Sequence, residues 1–395
     1  MGNEWARHAI WWQVYPLGFL GAPIFDHDGT PGHRTLRDLI DWLDYLVELG
    51  CNGLLLGPIF ASSTHGYDTV DHYAIDPRLG DESDWDALVA ACRERGVRLC
   101  LDGVFNHVGR DHPLLETRPD LFSDRVFEGH GSLVEFDHSR PEVADLVSDV
   151  MNHWLDRGAD AWRLDAAYAT PAEFWTRVLP RVRHHHPDAW VFGEMIHGDY
   201  VGFVRDSGVD SVTEYELWKA TWSSLKDGNF FELDWALTRH NTFTDAFVPQ
   251  TFIGNHDVTR IATQVGPDTA VLALAVLMTT SGVPSIYYGD EQGYTGTKYE
   301  RHGGDDEVRP MFPHSPTELS TLGAEVFRAH TSLIGLRRRH PWLVAARTEK
   351  IELTNTHYRY RSLGDGHELV VDLTLEPRPG VLISGDGTEQ FRYGQ

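Results

Sequence analysis

The stretch Asp160-Ala-Trp-Arg-Leu-Asp165 decides the fold. A helical pattern over 140–157 ends at Gly158, just before it, and another begins near Thr170. Six residues with an apolar centre between two helices read as a short buried strand. It delivers Arg163 and Asp165 at its C-terminal end, and residues two apart on a strand point to the same side. Burying a guanidinium and a carboxyl is costly unless they pair or do chemistry. Taken alone, a structural ion pair explains them as well as a reactive site does.

Recurrence changes the odds. Residues 97–107 read as a strand finishing in Asp102, Asn106 and His107, 190–194 as one ending in Glu194, and 251–257 as one ending in His256 and Asp257. Strands alternating with helices argue for a parallel sheet. In a closed (β/α)8 (TIM) barrel the C-terminal strand ends converge on one rim, where reactive side chains gather. Four such ends would place Asp102, Asp165, Glu194 and Asp257 around one pocket.

Working outward, Ile10–Tyr15 reads as the first strand and 35–49 as the first helix, with Thr35 and Asp38 as a capping pair and Gly50 as its stop. Gly53–Leu56 and Ser83–Arg95 follow as strand and helix. Beyond the central strands, 171–186 reads as helix, 209–213 as strand, and an irregular helical region runs to about 243. Residues 268–280, 285–289 and 317–339 supply a helix, the eighth strand and the last helix. The fold class is therefore α/β, a (β/α)8 barrel formed by 1–107 and 139–340. Residues 108–138 are rich in His, Asp, Gly and Pro, and so long a connection is usually a functional excursion, here a short inserted domain. Residues 341–395 alternate and turn often, which predicts a small C-terminal antiparallel β domain.

Charge and cysteine usage narrow the function. A net charge of −25 argues against nucleic acid, anionic membranes and anionic substrates as partners. Cys51, Cys92 and Cys100 are odd in number without metal-ligand spacing, which suits core residues in a reducing compartment. With no basic segment and apolar run at the start, and an apolar run over 270–278 too short to span a bilayer, a soluble cytoplasmic protein is expected.

Carboxylates, two imidazoles and one guanidinium at one rim admit three chemistries. Metal-dependent hydrolysis would want tight ligand spacing, and none is present. Phosphoryl transfer would want a Gly-rich cradle with Lys or several Arg, which is also missing. Glycoside hydrolysis needs one ionised and one protonated carboxyl flanking the scissile bond. On this reading Arg163 keeps Asp165 ionised as a nucleophile, and desolvation at the apolar end of Val-Phe-Gly-Glu194 raises that acid's pKa. Asp257 would hold sugar hydroxyls in the transition state.

At these residues the sequence resembles the α-amylase family of glycoside hydrolases over nearly its whole length. Asp102-Gly-Val-Phe-Asn-His107, Trp162-Arg-Leu-Asp165, Gly193-Glu194 and Asn255-His-Asp257 are similar to the family's four short regions in order. Gly282-Val-Pro-Ser-Ile-Tyr-Tyr-Gly-Asp-Glu291 resembles its eighth-strand signature, His65-Gly-Tyr-Asp68 its loop after strand two, and Leu133-Val-Glu-Phe-Asp137 a diverged fifth region. The resemblance implies a retaining double displacement on α-glucosidic bonds of α-glucans or oligosaccharides, with Asp165 as nucleophile, Glu194 as acid/base and Asp257 as stabiliser. Retention sets Asp165 and Glu194 facing each other about 5 Å apart. Arg163 would hold Asp165, with Asp102 behind it and Asn106 in support. His107 and His256 would bond the sugar, Tyr67 would stack on it beside His65, and Asp68 would join Arg309 at the non-reducing end.

Within the family the motifs are most similar to neopullulanase and cyclomaltodextrinase types, whose extra N-terminal domain, and dimerisation through it, are not expected here. Where relatives often carry Lys-His after the nucleophile, Tyr168-Ala169 stand, which removes the usual contact beyond the cleaved bond and the support for a calcium site. Asp26-His-Asp28-Gly29 resembles another metal loop, though an ordinary polar turn explains it better. No cofactor is therefore expected. Ala166 leans toward α-1,4 over α-1,6 bonds. For His184-His-His186 a solvated helix end is the better reading, and Trp11, Trp12 and Trp154 read as core. Two alternatives stay open: a transglycosylase using an acceptor sugar in place of water, and a non-catalytic relative, which would be expected to have lost the three carboxylates.

Overall fold

The computed structural model describes residues 3–394 except 26, 28, 29 and 31, so most of the Asp26–Gly29 turn lies outside the described residues. Eight strands form one parallel sheet: β1 (Trp11–Val14), β2 (Gly53–Leu56), β3 (Arg98–Gly103), β4 (Ala161–Leu164), β5 (Trp190–Gly193), β6 (Ser211–Val212), β7 (Gln250–Phe252) and β8 (Val283–Tyr287). Their spatial order is β6-β5-β4-β3-β2-β1-β8-β7. A parallel bridge from Thr213 to Gln250 joins the two ends, which closes the barrel.

Period-two alternation sorts the strand residues into two environments. Trp11, Leu55, Cys100, Ala161, Trp190, Phe192 and Val283 pack together inside the barrel. Trp12, Leu54, Leu99, Leu101, Trp162, Leu164 and Val191 belong to the separate cluster beneath the helices. The interior row that begins with Trp11, Cys100 and Ala161 continues upward as Gln13, Asp102 and Arg163. Its floor is therefore apolar and its mouth polar. Gly53 is needed at the floor because an added Cβ would lie 2.3 Å from the Trp11 ring.

The outer helices are α1 (Leu43–Leu49), α2 (Glu82–Glu94), α3 (Pro141–Asp156), α4 (Ala172–His185), α5 (Tyr200–Ser207), α6 (Tyr215–Asp227), α7 (Phe231–Thr244), α8 (Pro267–Thr279) and α9 (Ala324–Arg339). A tight 3-10 stretch, Leu36–Trp42, leads into α1, and Thr35 with Asp38 forms the expected capping box. Gly50 ends α1 in the left-handed region at φ 96°. The last helix begins seven residues later than 317 because Pro316–Glu318 and Thr321–Gly323 are separate 3-10 turns. The irregular region before 243 resolves into α6 and α7. Exposed His184 and His185 do end α4.

Residues 270–279 of α8 are all buried. The helix packs against α9 and against the C-terminal sheet, which explains its apolar run. Among the described residues no helix is long and apolar enough to cross a membrane. The C-terminal sheet has five antiparallel strands, β9 (Arg347–Leu353), β10 (His357–Gly364), β11 (His367–Thr374), β12 (Gly380–Gly385) and β13 (Thr388–Tyr393). Asn241 on α7 exchanges two 2.9 Å hydrogen bonds with the Thr348 backbone, and Tyr360 meets Thr279 at 2.7 Å.

Two excursions rise from the mouth. Phe60–Ser62 and Thr69–Ile75 pair as a hairpin whose tip carries His65, Tyr67 and Asp68. The insert is a three-stranded antiparallel sheet of His107–Gly109, Phe122–Val126 and Leu133–Phe136. His107 thus belongs to the insert's sheet rather than to β3, which stops at Gly103. In the same way β7 stops at Phe252, five residues short of Asp257. Irregular backbone at the rim carries these groups, where strand continuations were expected.

Candidate active site

Asp102 and Arg163 are register partners on β3 and β4, so their side chains start side by side at the mouth. Arg163 Nη1 donates to both Asp102 oxygens at 2.7 Å and to Asp165 Oδ1 at 3.3 Å. Its Nη2 reaches Glu194 Oε1 at 2.6 Å. One guanidinium thus gathers three carboxyls from three strands, and all four groups are buried. The backbone N–H of Ala166, next to Asp165, donates to Glu194 Oε2 at 3.0 Å. Ala166 adopts left-handed backbone (φ 47°) to present it.

The electrostatics depart from the sequence expectation. Asp165 is not held low by Arg163: burial pushes its pKa well up, Glu194 adds to the rise, and Arg163 opposes both without prevailing. Glu194 is raised as expected, by burial first, with Arg163 and the Ala166 amide pulling against it. Asp102 is also raised, by burial against the same arginine. The physical reason is sharing. Arg163 makes its 2.6 Å contact with Glu194 and only a 3.3 Å contact with Asp165.

Asp257 behaves oppositely. Burial works against its charge, but His256, Arg309 and Arg163 outweigh that and hold the carboxyl well below the usual range. His256 Nε2 lies 3.0 Å from its Oδ2, and Arg309 Nη2 donates to its Oδ1 at 2.9 Å. Gln13 Nε2 donates to His256 Nδ1 at 3.2 Å, which leaves Nε2–H for Asp257 and the Tyr67 hydroxyl. Tyr67 in turn donates to Asp102 Oδ2 at 3.0 Å. Burial keeps this imidazole neutral, with a pKa lowered to about 3.

Several side chains stand elsewhere than their expected contacts. Asp68 and Arg309 line one cavity without bonding to each other: Asp68 accepts from the Thr64 amide (3.0 Å) and hydroxyl (2.6 Å), while Arg309 reaches Asp257 and Asp305. A tight turn at the hairpin tip satisfies the aspartate locally. His107 directs Nε2 to the Tyr67 carbonyl at 3.0 Å, and Asn106 Nδ2 donates to its Nδ1 at 3.2 Å. His65 Nδ1 accepts from the Tyr67 amide at 3.2 Å. Tyr67 lies parallel to the His256 ring, 5.4 Å between centroids. Asn106 is bonded to His107 and Thr170, and among the described residues no cluster of three or more His, Cys, Asp or Glu is arranged to hold a metal ion.

Sequence reasoning missed Tyr215, whose hydroxyl donates to Glu194 Oε1 at 3.2 Å and accepts from Asn255 at 2.9 Å. It follows the end of β6, so the strand-end rule would have found it. It also missed Gln13 and Tyr15; the Tyr15 ring carries the Arg309 guanidinium at 4.6 Å. A cavity of about 1160 Å³ opens beside Asp257, lined by Tyr15, His65, Asp68, Arg309 and the 298–306 segment. Phe25 and His302, 4.2 Å apart, meet across its far side. Asp165, Glu194 and Asp257 are not among its lining residues.

A family model described as alpha amylase, catalytic domain, matches residues 13–120 and 125–315. Neopullulanase 2 of Thermoactinomyces vulgaris is 32% identical over 381 residues, covering 85% of this chain and 63% of that protein. A cyclomaltodextrinase of Geobacillus thermopakistaniensis is 30% identical over 385 residues, again covering 85% and 63%. The chain therefore spans about 63% of the length of these curated relatives. Among solved structures, the ligand-free cyclic alpha-maltosyl-(1→6)-maltose hydrolase of Arthrobacter globiformis superposes with a TM-score of 0.80 at 26% identity, covering 94% of this chain and 92% of that one. The barrel, the acids at its mouth and these matches lead to one conclusion: the chain belongs to the alpha-amylase catalytic-domain family.

Proposed function

We propose that the protein is a retaining α-glycoside hydrolase that cleaves α-1,4 bonds of malto-oligosaccharides or related α-glucans by double displacement. The observation that carries this reading is the single guanidinium of Arg163 bonded to both Asp165 and Glu194, with a third, firmly ionised acid, Asp257, beside them. Asp165 attacks the anomeric carbon, Glu194 protonates the leaving oxygen and then deprotonates water, and Asp257 holds hydroxyls of the reacting sugar. Three buried carboxyls, Asp102, Asp165 and Glu194, share the one Arg163 guanidinium and all three are raised, which favours a proton held among them and, on this reading, between Asp165 and Glu194. When a glycosidic oxygen engages Glu194, its bond to Arg163 is exchanged for one to substrate. Arg163 then serves Asp102 and Asp165 alone, which moves the proton to the acid and the charge to the nucleophile.

The proposed glycone site is the cavity lined by His65, Asp68 and Arg309, with Tyr67, His107 and His256 proposed as further contacts. Relatives named for cyclomaltodextrin and pullulan cleavage support an α-glucan substrate. The proposed catalytic unit comprises 1–107 and 139–340, with 108–138 inserted and 341–395 appended. Free, buried Cys51, Cys92 and Cys100 suit a reducing, cytoplasmic setting.

Proton NMR of maltotriose during hydrolysis tests the reading. An α-anomeric product appearing first supports retention, and a β-anomer first ends it. A panel of maltose, isomaltose, trehalose, sucrose, cyclodextrin and pullulan fixes the linkage, and products longer than maltotriose would identify a transglycosylase.

A further inference from the structure

At the end of the barrel away from the acids lies a second, smaller cavity of about 220 Å³. It is bounded by the short stretch Glu4–His8, which leads into β1, and by the C-terminal end of α9. Its polar lining is basic throughout: Arg7, His8, Arg337, Arg338 and His340, with an apolar remainder. The chain has 59 acidic residues to 34 Lys and Arg, yet none of the acids lines this cavity.

Two of the cations are built into the floor of the barrel. Arg337 is 6% exposed. Its Nη1 donates to the Met278 and Thr280 carbonyls at 3.1 and 2.7 Å, and its Nη2 to the Gly282 carbonyl at 2.6 Å. Arg338 donates to the Gly50 carbonyl from Nε (3.1 Å) and Nη2 (2.9 Å), to Asn52 Oδ1 at 2.7 Å and to the His8 carbonyl at 2.7 Å. Gly282 and Asn52 directly precede β8 and β2, so these bonds tie strand starts to the last helix. Cations also suit the last turn of any helix. Capping therefore explains why arginines stand here.

It does not balance their charge. Burial brings the Arg337 pKa down to about 9 and Arg338 adds to the fall, with no carboxylate opposing them. A guanidinium carries five N–H bonds, and the three bonds made by Arg337 leave Nε–H and one Nη2–H without a protein acceptor. Arg7 reaches Glu4 only at 3.8 Å, and Glu4 is outside the lining. His340 Nε2 is buried without a hydrogen-bond partner. Buried charge of one sign is unfavourable until an opposite charge joins it.

We propose that this floor cavity binds a phosphate group, free or as a small phosphate monoester, held by Arg337 and Arg338 together with Arg7, His8 and His340. The planar guanidinium fork matches phosphate oxygens, which accept several charge-assisted hydrogen bonds at once. Pockets for larger organic ligands begin at about 300 Å³, so the volume suits a small anion and excludes a nucleotide or an oligosaccharide. Ile10 and Val344, both in the lining, offer an apolar face to the carbon side of an ester. The site is independent of the roles given to Asp165 and Glu194, which stand at the other end of the strands.

Isothermal titration calorimetry of the full chain with inorganic phosphate, against sodium chloride at matched ionic strength, tests the site. One site with a Kd of about 1 mM or tighter is expected, and about 50 mM phosphate should then raise Tm by about 3 °C. Arg7→Ala/His340→Ala alters none of the capping bonds and should weaken binding about five- to twentyfold. Phosphate also stabilises proteins by exclusion from their surface, so the Tm shift is read as the difference between parent and double variant. Arg337→Met should abolish binding; should it fail to fold by thermal melting, the double variant carries the test. Glucose 6-phosphate binding more tightly than phosphate supports an ester as the ligand, and equal binding supports free phosphate. No heat beyond the chloride control up to about 20 mM phosphate, or equal affinity in parent and double variant, overturns the proposal.

Discussion

Replacing Arg163 by Met removes the cation that three buried carboxyls share. Arg163 is 3% exposed and contacts Asp102, Asp165 and Glu194 at 2.7, 3.3 and 2.6 Å. Removing one partner of a buried ion pair costs about 3–5 kcal/mol, because the charge left behind has no counter-ion. Unfolding entropy of roughly 2.1 cal/mol/K per residue makes about 0.8 kcal/mol/K for this chain, so the loss corresponds to a Tm lower by about 4–6 °C. The pH dependence has a definite sign. All three carboxyls are already raised, and without Arg163 they rise further. A carboxyl with a higher pKa folded than unfolded favours the fold while protonated, and that contribution is lost as pH climbs through the folded value. The Tm deficit of Arg163→Met should therefore be small at acid pH and grow toward alkaline pH. Differential scanning calorimetry of parent and variant across that range measures it. A deficit below about 1 °C, or one that shrinks as pH rises, would refute the shared-cation account.

Glu194→Gln keeps the shape of the acid but has no proton to give; hydrolysis of maltotriose should fall about 10²–10⁴-fold, with a far smaller loss on α-maltosyl fluoride. The alkaline limb of the parent's kcat/KM profile should vanish in the same variant, and its survival would assign the limb to another group. Asp76→Asn breaks a buried pair in which Arg78 donates at 2.7 and 2.8 Å, and should cost about 3–5 kcal/mol, read as a lower Tm. Cys51, Cys92 and Cys100 are free and buried, and burial raises each thiol's pKa. A thiol reagent should label none of them in the native protein and all three in guanidinium chloride; native labelling would contradict the packing.

The barrel was legible because each strand is short, apolar and followed by a helix with a plain signal at one of its ends. Gly53–Leu56 was located to the residue, and Arg163 and Asp165 do share a side. The rim was less legible. Asn106, His107 and Asp257 follow strands that stop earlier, and no local propensity says where a strand yields to a loop whose hydrogen bonds are made by distant side chains. The resting partners of Asp68 and Arg309 were illegible for a related reason. Thr64 satisfies Asp68 within four residues of chain, while Arg309 finds Asp257 and Asp305. Such partner choices depend on distances between loops, which spacing in the sequence does not encode. Tyr215 and Gln13 were findable by extending the strand-end rule to β6 and β1.

The division of labour between Asp165 and Glu194 was the reading most exposed to error, because it assigned an arginine to one acid from sequence neighbourhood alone. In the folded chain the guanidinium is nearer to Glu194, since adjacent strands place β5 as close to Arg163 as the end of its own strand. Neither acid's role follows from its resting pKa, because burial raises both and Glu194 adds to the rise at Asp165. Asp257 is different: Arg309, which it shares with Asp305, and His256 hold it well below the usual range, with Arg163 assisting. One acid is thus fixed as an anion while two compete for a proton and a cation. Substrate that engages one of the two necessarily changes the charge on the other. An arginine dedicated to Asp165 would keep the nucleophile ionised at rest but would do nothing to keep a proton on Glu194. Sharing couples the two protonation states, so that on the roles proposed above binding at Glu194 would prepare Asp165.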